Sequence, residues 1–361
     1  MTSPPRPFQR PCLIAILLAV LSALLPATAR ATPRCDDPKT RPVYCGTFSV
    51  LFENDLFLGQ DRHYTNGIKL SWTSRDLREY GQWEHTPDWA RGLFSALDRF
   101  QGDREKNLEL FAGQKLFTPQ DIQRTDLIAN DRPYAAWIFF GPAFHSKNAY
   151  TLDTVEIELG WVGPLAQGEE TQNFVHSLRG IPTAKGWSHQ LNDEPAFNLV
   201  YQHKHRNWEG EWPGTHFASD FISHYGASLG NVYTYANAGA EVRIGWNLPA
   251  DFGTSLIRPG GDVNAPVNTR DLRLAEKNAF GIHAFAAVSG RAVLRDIFLD
   301  GNSFSNSHSV DKNVWVGSLV AGVAITWKGV KLTYSEIFNT KEFKQQKGAD
   351  AYGSMNLSWN F

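Results

Sequence analysis

Two short polar clusters near the beginning of the chain contain residue types that could take part in catalysis. The stretch Glu53–Phe57 contains the pair Asn54 and Asp55, and the stretch His63–Gly67 contains Thr65. A carboxylate beside amide oxygens is a hard-oxygen environment, which favours Ca²⁺ over Zn²⁺. These residues also have ordinary explanations, because Asn and Asp readily cap turns and Thr is common in strands.

A third polar cluster follows the stretch Gly160–Pro164 and predicts a short helix. No Gly or Pro interrupts residues 169–178, and Gly180 is placed to end the helix. Gln172 and His176 are four residues apart, so they would share one face of that helix. A single histidine is often structural, but His is also the side chain best suited to act as a general base near neutral pH.

Together, these residue types predict the chemistry of a metal-assisted esterase. A bound Ca²⁺ could polarise an ester carbonyl and stabilise the oxyanion, while His176 deprotonates water or a hydroxyl group. No nucleophile elbow at a strand-to-helix turn is predicted, so a conventional serine hydrolase is not supported. The esterase chemistry requires three clusters that are distant in the sequence to meet.

The elements that must bring them together are β-strands. The C-terminal segment alternates strictly, with Met355, Leu357, Trp359 and Phe361 on one face and Ser or Asn on the other. This period of two places one face against an apolar phase and the other against water. In a soluble protein, an edge strand this aromatic would be prone to aggregation. A terminal aromatic residue is typical of the closing strand of outer-membrane barrels, and we expect the barrel-assembly machinery to recognise Phe361.

Eleven further segments have similar character, which predicts an all-β fold, a twelve-stranded antiparallel transmembrane β-barrel. An even number of strands is required for a single-chain barrel whose two ends both lie in the periplasm. Many Trp and Tyr residues occur near strand ends, as in the aromatic belts of membrane proteins. Strands are predicted at residues 46–55, 64–74, 107–117, 134–146, 150–161, 194–206, 216–231, 234–247, 279–293, 309–327, 330–339 and 350–361.

In such a barrel, the connections that follow odd-numbered strands lie on the outer side. The polar clusters fall at the connections 55–64 and 162–193, so the barrel predicts that they meet at its outer rim. The connections 75–106 and 248–278 fall on the periplasmic side and are unusually long for it. The segment Asp88–Phe100 in the first of them predicts an amphipathic helix. Neither connection suggests a function.

The first 31 residues are expected to be a secretory signal peptide. Arg6 and Arg10 precede the apolar run Leu13–Leu25, and Ala29–Ala31 offers a small-x-small cleavage site. The apolar run is shorter than the roughly 20 residues that a membrane-spanning helix needs. The expected organisation is therefore a signal peptide (1–31), an N-terminal periplasmic segment (32–46) and one barrel domain (47–361).

The composition of the mature chain narrows the expected partners. Without the three arginines of the signal peptide, 32 basic side chains face 37 acidic ones, a net charge of −5 with no polybasic stripe. Nucleic acid is therefore not an expected partner. Cys35 and Cys45 are the only cysteines after the signal peptide. In an oxidising compartment they could form a disulfide that closes a small loop, and two free thiols are the alternative.

Several motifs occur in order along the chain: Phe52–Phe57, Tyr64–Gly67, Asp131–Ala135, Val162–Pro164, Gln172–His176 and Trp187–Leu191. They closely resemble the lipid A 3′-O-deacylase (LpxR-like) family, and the resemblance covers nearly the whole mature chain. It implies a twelve-stranded barrel in the outer membrane of a Gram-negative bacterium. It also implies an active site at the outer rim that uses Ca²⁺ to release the 3′-linked acyloxyacyl group from lipid A.

The resemblance also implies roles for individual residues. His176 corresponds to the base and Asp55 to part of the Ca²⁺ site. A cationic residue of the family is matched most closely by Arg124, and Arg132 is a second candidate for holding a lipid A phosphate. The residues that correspond to positioning or oxyanion groups are Asn54, Thr65 and Gln172.

Three other functions remain open from the sequence. A pore would need an unobstructed polar lumen, and twelve strands lie between the filled eight-stranded barrels and the open sixteen-stranded porins. A structural barrel that has lost activity would bind no Ca²⁺ and leave lipid A unchanged, since a fold alone does not imply a function. A phospholipase would release fatty acid from glycerophospholipid instead.

Overall fold

The computed structural model describes residues 46–55, 63–83, 86–257, 266, 271 and 280–361. The expected signal peptide lies outside these residues, as do the segment 32–45 and the cysteine pair Cys35 and Cys45. Residues 56–62, between the first two strands, also lie outside them.

Twelve antiparallel strands close into a barrel, as the sequence predicts. Each strand pairs with its neighbours along the chain, and the first also pairs with the last, from Thr47 opposite Asn360 to Asn54 opposite Gly353. Closure of this kind removes the strand edges that would otherwise be open to aggregation. The strands are β1 (Gly46–Asn54), β2 (His63–Ser74), β3 (Glu105–Thr118), β4 (Ala135–Lys147), β5 (Thr151–Val162), β6 (Glu194–Glu211), β7 (Phe217–Gly230), β8 (Tyr233–Trp246), β9 (Phe280–Asp296), β10 (Trp315–Trp327), β11 (Val330–Asn339) and β12 (Asp350–Asn360).

The alternating pattern of β12 explains which face of the sheet is outside. Met355, Leu357 and Trp359 are 40%, 46% and 55% exposed, whereas the Ser and Asn residues between them are buried. The apolar side chains therefore face outward, where lipid surrounds a membrane barrel, and the polar ones face the lumen. Within the described residues, no helix has the length and apolar character needed to cross a membrane.

The lengths of the connections indicate the orientation of the barrel. The turns between β4 and β5 and between β10 and β11 are short, and they lie at the end where β1 begins and β12 finishes. The connections at the opposite end include the long segments 163–193 and 297–314. Outer-membrane barrels have short periplasmic turns and longer outer loops, so this opposite end is the outer one.

Three α-helices lie in the described parts of the connections. Helix α1 (Arg91–Gln101) confirms the amphipathic helix expected on the periplasmic side, and its Phe94 packs against Phe144 with ring centroids 5.4 Å apart. Helix α2 (Gly168–Arg179) confirms the helix expected in the third outer loop, and it ends at Gly180 with a φ of 67°. Helix α3 (Ile297–Asp300) is a single turn at the outer end of β9.

The second long periplasmic connection enters the barrel, which the sequence pattern does not indicate. Asp251 forms ion pairs with Arg243 of β8 and with Lys331 of β11, and all three side chains are buried. Lys204 of β6 donates a hydrogen bond to the carbonyl oxygen of Phe252 at 2.8 Å. Three strands therefore anchor this segment to the lumen wall.

The same segment continues towards the outer end of the barrel. Leu256 and Ile257 are buried, and the backbone N–H of Ile257 donates to Oε1 of Glu53 at 2.8 Å. Glu53 is the second-last residue of β1 and therefore lies near the outer rim. We call residues 249–257 the lumen segment, because they occupy much of the height of the barrel interior.

Aromatic side chains cover the outer mouth. Phe298 of α3 stacks on Phe117 of β3 with ring centroids 4.0 Å apart, and it also contacts Trp137 and Tyr233. Between this aromatic cap and the lumen segment lies a cavity of about 80 Å³, lined in part by Tyr64 and other lumen-facing residues. The described part of the chain thus fills the lumen instead of leaving a wide aqueous passage.

Candidate active site

A β-bulge at the start of β2 places Thr65 on the outside of the barrel. The pairing of β2 with β3 shifts between Tyr64 and Asn66. Tyr64 faces the lumen, because its hydroxyl donates to Oε2 of Glu53 at 2.7 Å. Thr65 lies on the opposite side of the sheet, where its hydroxyl and that of Thr118 share a hydrogen bond of 2.7 Å.

Asn54 lies on the same outer wall. Glu53 faces the lumen segment, so the alternation along β1 turns Asn54 outward. Asn54 is opposite Asn66 in the pairing of β1 with β2, and the two residues are only 4% and 7% exposed. The outward positions of a membrane barrel usually carry apolar side chains that contact lipid. A buried polar pair at such positions requires another part of the chain to cover it.

Helix α2 and the turn before it lie over this part of the wall. Gln114 is on β3, four residues before Thr118 and on the same face of the strand. Its Nε2 donates to the carbonyl oxygen of Ala166 at 2.6 Å and to Oγ1 of Thr171 at 3.2 Å. The third outer loop therefore folds back against the outside of the barrel, a position that the strand pattern did not predict.

Gly168 allows α2 to approach the wall closely. A Cβ atom at this position would lie 2.5 Å from Cβ of Ala136 and 2.5 Å from Cη2 of Trp187. Such distances are far inside van der Waals contact, so the helix could not sit here with a larger residue. An apolar cluster joins the wall to the loop at this point. Its members are Leu116, Ile122, Tyr134, Ala136, Ala166, Ala184 and Trp187.

Gln172 and His176 lie on the covered face of α2 and are 2% and 1% exposed. Nδ1 of His176 is 2.8 Å from the carbonyl oxygen of Pro182. Because a carbonyl oxygen can only accept, Nδ1 must carry the proton, and in the neutral imidazole Nε2 then holds the lone pair. Oε1 of Gln172 accepts a hydrogen bond from the indole N–H of Trp187 at 2.8 Å.

Asp55 directly follows β1 and is 1% exposed. Its carboxylate, the amide oxygens of Asn54 and Asn66 and the hydroxyl of Thr65 are hard donors, which suit Ca²⁺ better than Zn²⁺. Across the described ranges, no group of three or more His, Cys, Asp and Glu residues could hold a metal ion. The donors therefore fit a Ca²⁺ site that has a single carboxylate ligand. Amide, hydroxyl or backbone oxygens and water would complete the coordination.

A polar groove of about 470 Å³ opens at the outer rim beside these residues. His63, which lines it, is two residues before Thr65, and Gln120, which also lines it, is two residues after Thr118. The groove therefore lies at the outer ends of β2 and β3, the strands that carry Thr65 and Thr118. Its lining combines cationic, acidic and amide side chains: His63, Gln120, Asp121, Arg124, Asn130, Asp131, Gln345, Gln346 and Lys347, together with Ile128.

A hydrogen-bond network fixes the floor of the groove. Nδ1 of His63 is 2.6 Å from Oδ1 of Asp350, and its Nε2 is 3.5 Å from Oδ1 of Asp131. Burial alone would raise the pKa of Asp131. Hydrogen bonds from His63 and from the backbone N–H groups of Gln120 and Arg132 outweigh burial and lower that pKa, so Asp131 remains an anion.

The two arginines proposed from the sequence to hold phosphate occupy different surroundings. Arg124 lines the groove, its side chain is 44% exposed, and its Nε donates to Asp126 at 3.0 Å. Arg132 is 1% exposed, lies 4.7 Å from the ring centroid of Phe117 and donates to Glu342 at 3.2 Å. Arg132 is therefore buried inside the mouth of the barrel, whereas Arg124 is open to the groove.

A serine motif within β7 does not form a nucleophile site. The stretch Gly226–Gly230 has the spacing G-x-S-x-G, but it continues as a strand without a strand-to-helix turn. Ser228 is buried, and its hydroxyl donates to the carbonyl oxygen of Tyr233 at 3.2 Å. The stretch therefore has the spacing of the motif without the elbow that presents a nucleophilic serine.

The structure brings the predicted clusters to one end and one side of the barrel. Asn54 and Thr65 lie on the outer wall at β1 and β2, and α2 carries Gln172 and His176 onto that wall at β3. Gln114, Thr118 and Trp187 were not selected from the sequence as site residues. The only signal for any of them is the position of Trp187 in an ordered motif.

Comparisons with known proteins agree with this architecture. A family model described as "Outer membrane protein LpxR" matches residues 13–361. Among solved structures, LpxR from Salmonella typhimurium is 18% identical, with a TM-score of 0.69 over 87% of this chain and 100% of that chain. The β domain of the Bordetella autotransporter BrkA is 10% identical, with a TM-score of 0.42 over 88% of this chain and 100% of that chain. A search of curated proteins found no match.

Proposed function

The chain belongs to the family of the outer-membrane protein LpxR, and from this premise we propose that it is a Ca²⁺-dependent esterase that removes the 3′-linked acyloxyacyl group of lipid A. Family membership and fold make it an outer-membrane β-barrel of a Gram-negative bacterium and support a lipid A deacylase. The particular ester, the metal and the residue roles are the proposal.

The observation that carries the proposal is the polar site on the outside of the barrel. Asn54, Thr65 and Gln114 occupy outward positions on three neighbouring strands, yet they are at most 4% exposed, and α2 covers the wall at Gln114. A site on this wall faces the outer leaflet, where lipid A resides. A lipid could therefore enter sideways from the membrane, without passing through the filled lumen.

His176 is the proposed general base. With Nδ1 donating to Pro182, its Nε2 can take a proton from a water molecule. The resulting hydroxide attacks the ester carbonyl carbon, and the carbonyl oxygen becomes an oxyanion. When the bond between that carbon and the sugar oxygen breaks, His176 returns the proton to the departing sugar oxygen. The products are a free acyloxyacyl carboxylic acid and a sugar hydroxyl group.

The oxyanion needs donors that are already in place. The proposed donors are the amides of Gln172 and Asn54 and the hydroxyl of Thr65. All three groups are buried, Asn54 and Thr65 on the wall and Gln172 on the face of α2 that lies against it. Asp55, with neighbouring amide oxygens, would hold the Ca²⁺. When bound, this ion supplies positive charge that stabilises the oxyanion.

The polar groove is the proposed site for the sugar-phosphate headgroup. Arg124 and Lys347 supply positive charge along its lining, and Asp121 and the amide side chains could bond sugar hydroxyls. Because the groove adjoins Thr65 and Thr118, a headgroup there would leave the acyl ester against the covered wall. Arg132 is omitted from this role because it is buried inside the mouth.

The rival functions differ in what they require of the molecule. A pore is disfavoured by the lumen segment and the aromatic cap, which fill the interior. A phospholipase would use the same ester chemistry, so only the substrate distinguishes it. An inactive barrel would leave lipid A intact.

Purified protein incubated with lipid A, in Ca²⁺ or in a chelator, tests the proposal by mass spectrometry of the products. We expect loss of the 3′-linked acyloxyacyl group in Ca²⁺ and no loss in chelator. His176→Ala and Asp55→Ala should abolish the reaction. His216→Ala, an exposed histidine in the turn between β6 and β7, should leave it unchanged.

Heat-modifiable mobility on gels would verify that each variant has assembled its barrel. Unchanged trimming in both site variants would refute the assigned roles. If fatty acid is released from glycerophospholipid while lipid A stays intact, the protein is a phospholipase and the proposed substrate is wrong.

A further inference from the structure

We propose that Trp187 is a positioning residue of this site, whose indole N–H holds the side-chain amide of Gln172 so that its two N–H donors point to the substrate. The inference rests on the proposed function and deepens it. It assigns a role to the motif Trp187–Leu191, which the proposed mechanism leaves without one.

The chemistry of the two side chains fixes the orientation of the amide. An indole N–H can only donate, so the Gln172 atom 2.8 Å from Nε1 of Trp187 must be the carbonyl oxygen Oε1. Nε2 then points to the other side. A free glutamine side chain can turn its amide by half a rotation, and this hydrogen bond prevents it.

Nε2 of Gln172 is a hydrogen-bond donor available to a bound ligand. It is buried, and it has no hydrogen-bond partner among the residues that the structure describes. Buried polar groups in native proteins are nearly always bonded, and exceptions occur where a ligand supplies the partner. An ester oxygen that becomes negatively charged during the reaction would be such a partner.

Trp187 is held firmly enough to act as the reference point. It begins the 3-10 turn Trp187–His189 and is 1% exposed. Its ring lies 5.0 Å from that of Tyr134, and it also presses on Gly168 at the start of α2. The ring is therefore clamped between the outer loops and the helix that carries Gln172.

The chain offers a matched control in Trp137. This residue is also 1% exposed and packed among aromatic rings, but it faces the lumen, and its indole N–H has no hydrogen-bond partner among the described residues. Substitution by Phe removes the same N–H from the same kind of buried environment in both cases. Only Trp187 holds Gln172.

The test compares Trp187→Phe and Trp137→Phe in the lipid A assay. We expect kcat to fall about tenfold in Trp187→Phe, with KM nearly unchanged, because misplaced donors weaken the transition state more than the bound substrate. Trp137→Phe should keep the wild-type kcat. In a Gln172→Ala background, Trp187→Phe should have no further effect on kcat.

A wild-type kcat in Trp187→Phe, or effects that simply multiply in the double variant, would overturn the inference. NMR of the indole N–H of Trp187 gives a readout that does not need turnover. Gln172→Ala should shift that signal and speed its hydrogen exchange, while the signal of Trp137 stays in place. If wild-type protein does not deacylate lipid A, the proposed function fails; an indole signal of Trp187 insensitive to Gln172→Ala overturns the positioning role separately.

Discussion

At the scale of single residues, the hydroxyls of Thr65 and Thr118 satisfy each other on a wall where water is scarce. Their hydrogen bond joins β2 to β3 outside the barrel, and both residues are almost fully buried. If the Thr65 hydroxyl donates its proton to the oxyanion, as proposed, it accepts its hydrogen bond from Thr118. Thr118 then only supports Thr65. The two threonines therefore make a matched pair in which structural and catalytic contributions can be separated.

Thr65→Val should lower kcat by about 100-fold, the usual cost of losing one oxyanion donor. Thr118→Val keeps the Thr65 hydroxyl and should lower kcat by less than about tenfold. Each variant leaves one buried hydroxyl without its partner, so both should lose about 1–3 kcal/mol in the free energy of unfolding. Lipid A turnover and urea denaturation measure the two quantities. Equal losses of kcat in the two variants would contradict the role of Thr65.

How much of the site could be predicted depends on whether the sequence shows which face of the sheet a polar strand residue occupies. Asn54, Asp55 and His176 stand out because they belong to polar motifs beside loops. Gln114 does not stand out, because a polar residue on a barrel strand is predicted to face the lumen. The bulge at Thr65 reverses the facing of the chain locally, and a pattern of period two cannot locate a bulge.

At the scale of elements, the site depends on how closely α2 approaches the wall. Gly168 marks that contact, since a Cβ there would collide with Ala136 and Trp187. The hydrogen bonds of Gln114 to Ala166 and Thr171 hold the same part of the loop. A helix displaced outward would uncover the polar wall and move Gln172 and His176 away from it.

Gly168→Ala should therefore lower both activity and stability. Forcing a methyl group into packed surroundings costs about 1–3 kcal/mol, and displacement of α2 should lower lipid A turnover by at least about tenfold. Gly92→Ala in α1 is the control, because a Cβ there meets nothing within 4 Å. It should leave turnover unchanged and raise stability by up to about 1 kcal/mol. Gly168→Ala with wild-type turnover would show that α2 need not touch the wall.

The elements themselves were largely predictable, for a physical reason. All twelve predicted strands occur, because a wall between lipid and a polar interior imposes alternation on every strand. Two bounds are wrong: β6 continues to Glu211 beyond the predicted residue 206, and β10 begins at Trp315 and not at residue 309. α2 was predictable from its uninterrupted run and Gly180. The lumen segment was not, because it is irregular and is held by contacts such as Lys204 to the Phe252 carbonyl, which leave no periodic trace.

At the scale of the whole molecule, the barrel separates two environments. The interior is filled by the lumen segment and by charged side chains that pair across it, such as Arg243 with Asp220 and Asp251. The candidate site lies outside, on the wall that faces lipid. Changes in the lumen should therefore alter stability and permeability without altering the chemistry.

Asp251→Asn tests this separation. The substitution removes the negative charge that faces Arg243 and Lys331 in the interior, and breaking a buried ion pair of this kind costs about 3 kcal/mol in the free energy of unfolding. Asp311→Asn is the control, because its ion pair with Lys344 is 69% exposed on the Asp side and should contribute less than about 1 kcal/mol. Urea denaturation in detergent measures both free energies.

In planar bilayers, Asp251→Asn should show transient conductance as the lumen segment loosens, while wild type and Asp311→Asn stay closed. Lipid A turnover should be the same in all three at temperatures where they are folded. Loss of turnover in folded Asp251→Asn would mean that the lumen and the outer wall are coupled. Steady conductance of the wild type would instead support the pore function.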